Sequence, residues 1–484
     1  MTTMKSYRLI FLLLIIFCNI CNAQVFQNMG FEDTCDTSKS SFCYWDIGWI
    51  NNNVSCTSDK IDNNTIAFIQ SSNPNGIGFI QQTALVKPGG ENRILSFSGK
   101  IKTESLMGKG ASLNITIEDK DGNNLFTENM FNSELSGTNN WKECTLKVIC
   151  AEQAYKVKIG AIVYGEGKAW FDDFKLNEER IDKNLGKKEI SYIENVSKII
   201  AKYSLRKDSV DLVLLKKQAL ALAGNSSGYF LLHLATQFYI KSLGDHHSFL
   251  IKPNDLKNWE AGDKEAHVDF ANYRIIDSCA YIFVPQFFSL NKKLALAYAD
   301  TINKAIQFLS NSNIKGWVID LRMNLGGNMH PMIAGLGPLF DNELLGQFVD
   351  VNGKKDSWSY KKGYSYVNKY KQCTVKNQAV LTKHLPIAVL IGNNTGSSGE
   401  FTALSFVGNK NTKLFGQASY GATTGNDQFK LDDGAMLMLT TTIGADRTGK
   451  LYGGTIIPDV VTKEIAGEDN TLYTAIDWLK GGGK

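Results

Sequence analysis

The chain has 484 residues, 43% hydrophobic and 21% charged, which excludes wholesale disorder. At roughly 100–200 residues per domain it is too long for one ordinary domain. Fifty-two basic against 48 acidic residues leave a formal charge of +4, so no broad field favours nucleic acid as a partner.

In chain order, Lys5 and Arg8 precede an apolar run, Leu9 to Cys18, and then Asn19, Asn22 and Ala23. The run is too short to span a bilayer as a helix. The layout predicts residues 1–23 to be an export signal cleaved near Ala23, leaving a periplasmic, cell-surface or extracellular protein without a transmembrane anchor. Cys35, Cys43, Cys56, Cys144 and Cys150 follow, and disulfides among these five are expected in an oxidising compartment. Cys279 and Cys373 stand alone in apolar surroundings and read as core residues.

Residues 24–178 alternate short apolar runs with Asn, Gly, Ser and Asp clusters. Ile94–Ile101, Leu113–Glu118 and Tyr155–Tyr164 are examples, and the spacing predicts an all-β sandwich. The segment opens on Asn28-Met29-Gly30-Phe31-Glu32 and closes on Trp170-Phe171-Asp172-Asp173. These strings resemble those of jelly-roll domains of the carbohydrate-binding-module type. The resemblance implies a structural calcium held by Glu32 with Asp172 or Asp173. It also implies a glycan partner, provided that Trp45, Trp49 or Trp141 offers an exposed platform.

Residues 179–189 are charged and predict a linker. From 190 to 476 the period changes. Ile190–Tyr203, Val210–Ala223 and Tyr229–Ser242 carry apolar residues at helical steps, and alternating strand and helix signals follow. Ala280–Pro285, Trp317–Leu321 and Pro386–Ile391 predict buried strands, and Leu294–Ser310 a helix. The fold class is therefore multidomain: an all-β jelly-roll sandwich, then an α/β domain that begins with a helical subdomain.

Three clusters in this second region carry candidate chemistry. Asp245-His246-His247-Ser248 places two imidazoles at the end of a predicted helix, where a rigid element positions a general base. No H-E-x-x-H string accompanies them. Asp320-Leu321-Arg322-Met323-Asn324-Leu325-Gly326-Gly327 ends a buried strand in a glycine pair, whose amides can hold an anion. Thr395-Gly396-Ser397-Ser398-Gly399-Glu400 reads as a sharp turn into a helix. There a Ser or Thr serves either as a helix cap with Glu400 as its capping partner, or as an exposed nucleophile.

In this order, with Gly453 to Pro458-Asp459 closing the region, the clusters resemble the tail-specific (C-terminal processing) protease family of serine peptidases. The resemblance implies hydrolysis of peptide or protein substrates without a cofactor. Ser397 would be the nucleophile, with an oxyanion hole from the N–H of Ser398 and of Gly326 or Gly327. Two features depart from the common pattern. Ala422 stands where the family carries its general-base Lys, and the segment between Leu250 and Phe270 leaves no room for a PDZ domain. The chain is more similar to the branch with tricorn protease and the interphotoreceptor retinoid-binding repeats, in which a His is the base. That nominates His247 over His246, with Asp446 first and Glu400 second as the orienting acid. The competing expectation is an inactive peptidase scaffold that binds small hydrophobic ligands, peptides or glycans.

Overall fold

The computed structural model describes residues 26–483 apart from 38–39, 51–52, 75, 87–90, 131–132, 182–183, 225–227, 263–267, 342 and 464–467. The expected export signal lies outside the described residues. No helix among them is long and apolar enough to cross a membrane. The chain divides into two compact units, Met1–Asp182 and Lys183–Lys484.

The N-terminal unit is built on antiparallel strands. Asp46–Ile50, Ile77–Leu85, Lys156–Arg180, Asn64–Ser71 and Val54–Ile61 follow one another, and Arg93–Glu118 joins Lys156–Arg180 to Asn124–Asn129 and Leu135–Cys150. Hydrogen bonding thus makes one eight-stranded network, where the sequence predicted a sandwich of short strands. Ile94–Ile101 and Leu113–Glu118, read as separate strands, are two ends of the single strand Arg93–Glu118. The glycines between them mark a distortion of the strand. Gly108 and Gly110 lie at φ 100° and 110°, opposite Gly165 and Gly167 at φ 116° and 138°, where the ladder shifts register. A Cβ on Gly165 would meet the Met107 carbonyl oxygen at 1.9 Å, so only glycine permits this approach.

The opening and closing strings of this unit meet. Met29 C=O accepts the Phe174 N–H at 2.9 Å, and Phe31 packs on Phe42, Trp45 and Phe174 with ring centroids 5.0–5.2 Å apart. Trp45 is therefore core, Trp141 is half-buried and Trp49 is exposed. Cys43 is disulfide-bonded, whereas Cys56, Cys144, Cys150, Cys279 and Cys373 are free.

The charged stretch predicted as a linker takes in the end of a strand and the start of a helix, with residues 181 and 184–186 between them in neither. Glu178, Glu179 and Arg180 pair with Leu95, Ile94 and Arg93 at the end of a strand, and a helix starts at Lys187. Glu179, Arg180, Lys187 and Lys188 face solvent, whereas Glu189 is buried.

In the C-terminal unit the helices Lys187–Tyr203, Leu212–Ala223 and Phe230–Lys241 come first. A six-stranded sheet follows. Cys279–Phe283, Trp317–Asp320, Ile387–Ile391, Thr412–Gly416 and Val460–Val461 run parallel, and Asn272–Ile276 is an antiparallel edge. Its side chains alternate as period two requires. Ala280, Ile282, Trp317, Ile319, Ile387, Val389 and Leu414 join the core that holds the helices Lys292–Ser310, Met329–Leu336 and Ser398–Leu404. Cys279, Tyr281, Val318, Ala388, Leu390 and Phe415 face the C-terminal helix Asn470–Lys480. Helices thus cover both faces, which is why these strands read as continuous apolar runs.

A second sheet of seven strands, not anticipated from the sequence, is antiparallel. It runs from Phe249–Ile251 through Met436–Asp446, Leu344–Asp350, Lys355–Lys361 and Tyr364–Val367 to Tyr370–Thr374. Thr424–Lys430 pairs with Met436–Asp446 as well.

Candidate active site

The strand Trp317–Asp320 delivers Arg322 into a clamp between carboxylates. Its Nη2 lies 2.7 Å from Asp320 Oδ2, and its Nη1 lies 2.6 Å from Asp469 Oδ1 at the cap of the last helix. Tyr281 donates its hydroxyl to Asp320 at 2.8 Å. The chain then turns at Asn324, which is fully buried. Its side-chain N–H2 donates to the carbonyls of Val284 and Pro285 at 3.0 and 3.1 Å, and its Oδ1 accepts the Gly326 N–H at 3.0 Å. Its own carbonyl accepts the Gly396 N–H at 2.9 Å, so this loop is tied to the turn before Ser397.

Gly326 and Gly327 both take left-handed backbone, φ 112° and 100°. A Cβ on Gly326 would lie 2.9 Å from Ser397 Cβ and 3.0 Å from Ser398 N. One on Gly327 would lie 2.1 Å from the Phe287 carbonyl oxygen. With the Gly326 N–H committed to Asn324, the backbone N–H groups of Gly327 and Ser398 have no acceptor among the described residues. The Ser398 hydroxyl donates to the Gly327 carbonyl at 2.6 Å and holds the two segments side by side.

Ser397 is the N-cap of the helix Ser398–Leu404 and lies at φ 48°, ψ −115°, a backbone region sparsely used by residues with a Cβ. The fully buried Glu400 anchors it. One carboxylate oxygen accepts the Ser397 N–H at 2.7 Å and the Ala422 N–H at 2.9 Å. The other accepts the Ser419 hydroxyl at 2.6 Å and the Gly421 N–H at 2.8 Å. Burial pushes this carboxyl above its usual range, and the four donors pull it back.

Ser397 Oγ lies 3.1 Å from His247 Nε2, and the other ring nitrogen, Nδ1, lies 2.9 Å from Thr424 Oγ1. The loop carrying His247 is fixed locally. Asp245 accepts the His247 and Ser248 backbone N–H groups at 3.2 and 2.6 Å, and Asn426 donates to the His247 carbonyl at 2.7 Å. Burial lowers the His247 pKa from its usual 6.5; the Asp245 charge and the Thr424 backbone oppose that shift.

Ser397, His247, Ser398, Gly326 and Gly327 therefore converge. His246 is exposed, and the ring bonded to Ser397 is that of His247. Neither expected acid meets His247. Asp446 spends its carboxylate on its own hairpin, accepting from Thr448 N, Thr448 Oγ1, Lys450 N and the Tyr452 hydroxyl. Glu400 is consumed by the four donors named above. The group that meets His247 Nδ1 is the hydroxyl of Thr424, a residue that nothing in the sequence pattern marked.

The calcium expectation does not fit the donors present. Asp173 pairs with Lys100 at 2.6 Å, Asp172 accepts from Asn64 and from Asp173 N, and Glu32 accepts from Thr65 N. A calcium ion needs six to eight oxygens. Among the described residues no three His, Cys, Asp or Glu side chains group for a metal ion.

Residues 278–462 match the model of peptidase family S41. The nisin-resistance protein of Lactococcus lactis subsp. lactis is 32% identical over 292 residues, 60% of this chain and 86% of that protein. The carboxy-terminal processing protease CtpA of Bacillus subtilis is 28% identical over 142 residues, 29% of this chain and 27% of that protein. Among solved structures, a lipoprotein from Streptococcus agalactiae superposes with a TM-score of 0.51 at 28% identity, covering 62% of this chain and 98% of that one. The chain belongs to peptidase family S41 and is a serine peptidase.

Proposed function

We propose that the chain hydrolyses peptide bonds through an acyl-enzyme, with a Ser–His pair in place of the family's Ser–Lys pair. The single observation that carries this reading is the 3.1 Å approach of Ser397 Oγ to His247 Nε2. His247 takes the hydroxyl proton as Ser397 attacks the scissile carbonyl, then returns it to the leaving amine. A water deacylates the enzyme with the same imidazole as base. The oxyanion sits between the Gly327 and Ser398 N–H groups, which are free to donate. Lys is not required, because a half-buried imidazole is neutral at pH 7.

A fluorophosphonate probe tests this directly. Wild-type protein is expected to label at Ser397, and Ser397→Ala to stay folded without labelling. His247→Ala is expected to slow labelling by roughly a hundredfold or more, the scale of general-base catalysis. Labelling that persists in Ser397→Ala would remove the nucleophile assignment.

Export belongs to the same proposal and is supported by the disulfide at Cys43, a bond of oxidising compartments. A glycan partner for the N-terminal unit is also proposed. Its support is a groove of about 310 Å³ lined by Phe79, Gln81, Asn114, Ile162 and Tyr164 among others, which offers two aromatic rings and two side-chain amides. Glycan-array binding that survives Gln81→Ala with Asn114→Ala would place the glycan elsewhere.

A further inference from the structure

A base that accepts a proton at Nε2 must carry one at Nδ1, and something must hold it there. In this site no carboxylate does so. Asp446 and Glu400 are committed elsewhere, and Asp245 accepts from its own loop through His247 N, Ser248 N and the Ser248 hydroxyl. The group that meets Nδ1 is the Thr424 hydroxyl, at 2.9 Å.

Building on the Ser397–His247 reading, we infer that Thr424 is the positioning residue for His247 and stands in for the triad acid. Its hydroxyl oxygen accepts the Nδ1–H and leaves Nε2 bare toward Ser397. A hydroxyl differs from a carboxylate here, because it can also donate. In the reverse pairing Thr424 donates to Nδ1, the proton sits on Nε2, and the ring cannot accept from Ser397. The Ser397 hydroxyl, 3.1 Å from Nε2, is complementary to the first form, in which it donates to the bare nitrogen. Asp245 is the charged group whose field reaches the ring, and it favours the protonated ring without selecting either nitrogen.

The placement of Thr424 has a second consequence. Ala422 donates to Glu400, which holds the Ser397 N–H, and Thr423 C=O accepts the Gly444 N–H at 2.9 Å. Three consecutive residues therefore register the nucleophile, the antiparallel sheet and the base. Ala422, two residues before Thr424, is small and reaches Glu400 through its N–H, which leaves the base to His247 and its orientation to Thr424.

The test uses the full chain with Thr424→Val, which keeps the shape and removes the hydroxyl, and Thr424→Ser, which restores it. Thr424→Ala is a second deletion in case Val distorts the strand. Fluorophosphonate labelling is followed against pH, and the His247 ring tautomer by 15N NMR of histidine-labelled protein. The expected result is a loss of roughly 10–100-fold in labelling rate for Val and Ala, a part of what general-base catalysis supplies. Thr424→Ser is expected within threefold of wild type. The Val tautomer should shift toward Nε2–H with an unchanged circular dichroism spectrum. Wild-type labelling rate and tautomer in both deletions would overturn the inference. If wild-type protein failed to label, the peptidase reading would fall, while the ring tautomer would still decide the role of Thr424.

Discussion

At the scale of single residues, the site depends on what surrounds each polar group more than on which groups are present. His247 is lowered from 6.5 by burial, with Asp245 and Thr424 opposing. Only the neutral ring accepts a proton, so with His247 as the proposed base activity is expected to be full above its pKa and lost as pH falls through it. The acid limb of labelling rate against pH should therefore have its midpoint below 6.5, and a midpoint above 6.5 would contradict the burial argument. Glu400 makes a second case. Glu400→Gln turns an amide N–H2 toward two of the four donors, leaving buried N–H groups unpaired. The expected cost is about 3 kcal/mol in urea unfolding, together with slower labelling as the Ser397 N–H loses its anchor. These two residues also mark what was legible beforehand. Ser397, Glu400, the glycine pair and a His at 246 or 247 stand in short strings whose spacing is set by local backbone. Thr424 meets His247 across 177 residues of chain and looks like any β-branched residue opening a strand. Asp446 looked like an acid in need of a role, but its own turn already satisfies it.

At the scale of elements, two interlocking turns hold the proposed oxyanion loop beside Ser397. The Asp320-to-Gly327 segment leaves the parallel sheet at the end of its strand, and Gly326 fills the space beside Ser397. Gly326→Ala adds a Cβ at 2.9 Å from Ser397 Cβ as well as left-handed strain. It should slow labelling at least tenfold. Gly434→Ala is the matched control: it has similar strain at φ 89° and no heavy atom within 4 Å of its added Cβ. The control should lose about 1 kcal/mol in urea unfolding while labelling at the wild-type rate. Equal effects on labelling would mean that backbone strain, not the contact, matters. The parallel strands announced themselves because both faces are covered and every residue is apolar. The seven-stranded sheet did not, because strands such as Lys355–Lys361 and Tyr370–Thr374 mix polar and apolar residues and lack a clean period. Arg93–Glu118 was misread as separate strands because Gly108 and Gly110 mimic turn residues while permitting a distorted but continuous ladder.

At the scale of the whole molecule, the chemistry and the disulfide lie in different compact units. Ser397, His247, Thr424 and the oxyanion loop all fall within Lys183–Lys484, whose described cysteines, Cys279 and Cys373, are free. Cys43 and its disulfide belong to Met1–Asp182, and among the described residues no sheet is shared between the units. Each unit has its own buried core, so each should unfold as its own cooperative step. A reducing agent should then act on one step alone. Loss of a disulfide from a small domain typically costs about 2–4 kcal/mol. The transition of the N-terminal unit in urea should shift down by that order, while the transition of the C-terminal unit and the labelling of Ser397 stay where they were. A fragment of residues 183–484 should likewise label within twofold of the full chain. If reduction slowed labelling, or if the fragment failed to label, the peptidase unit would need its neighbour in order to fold.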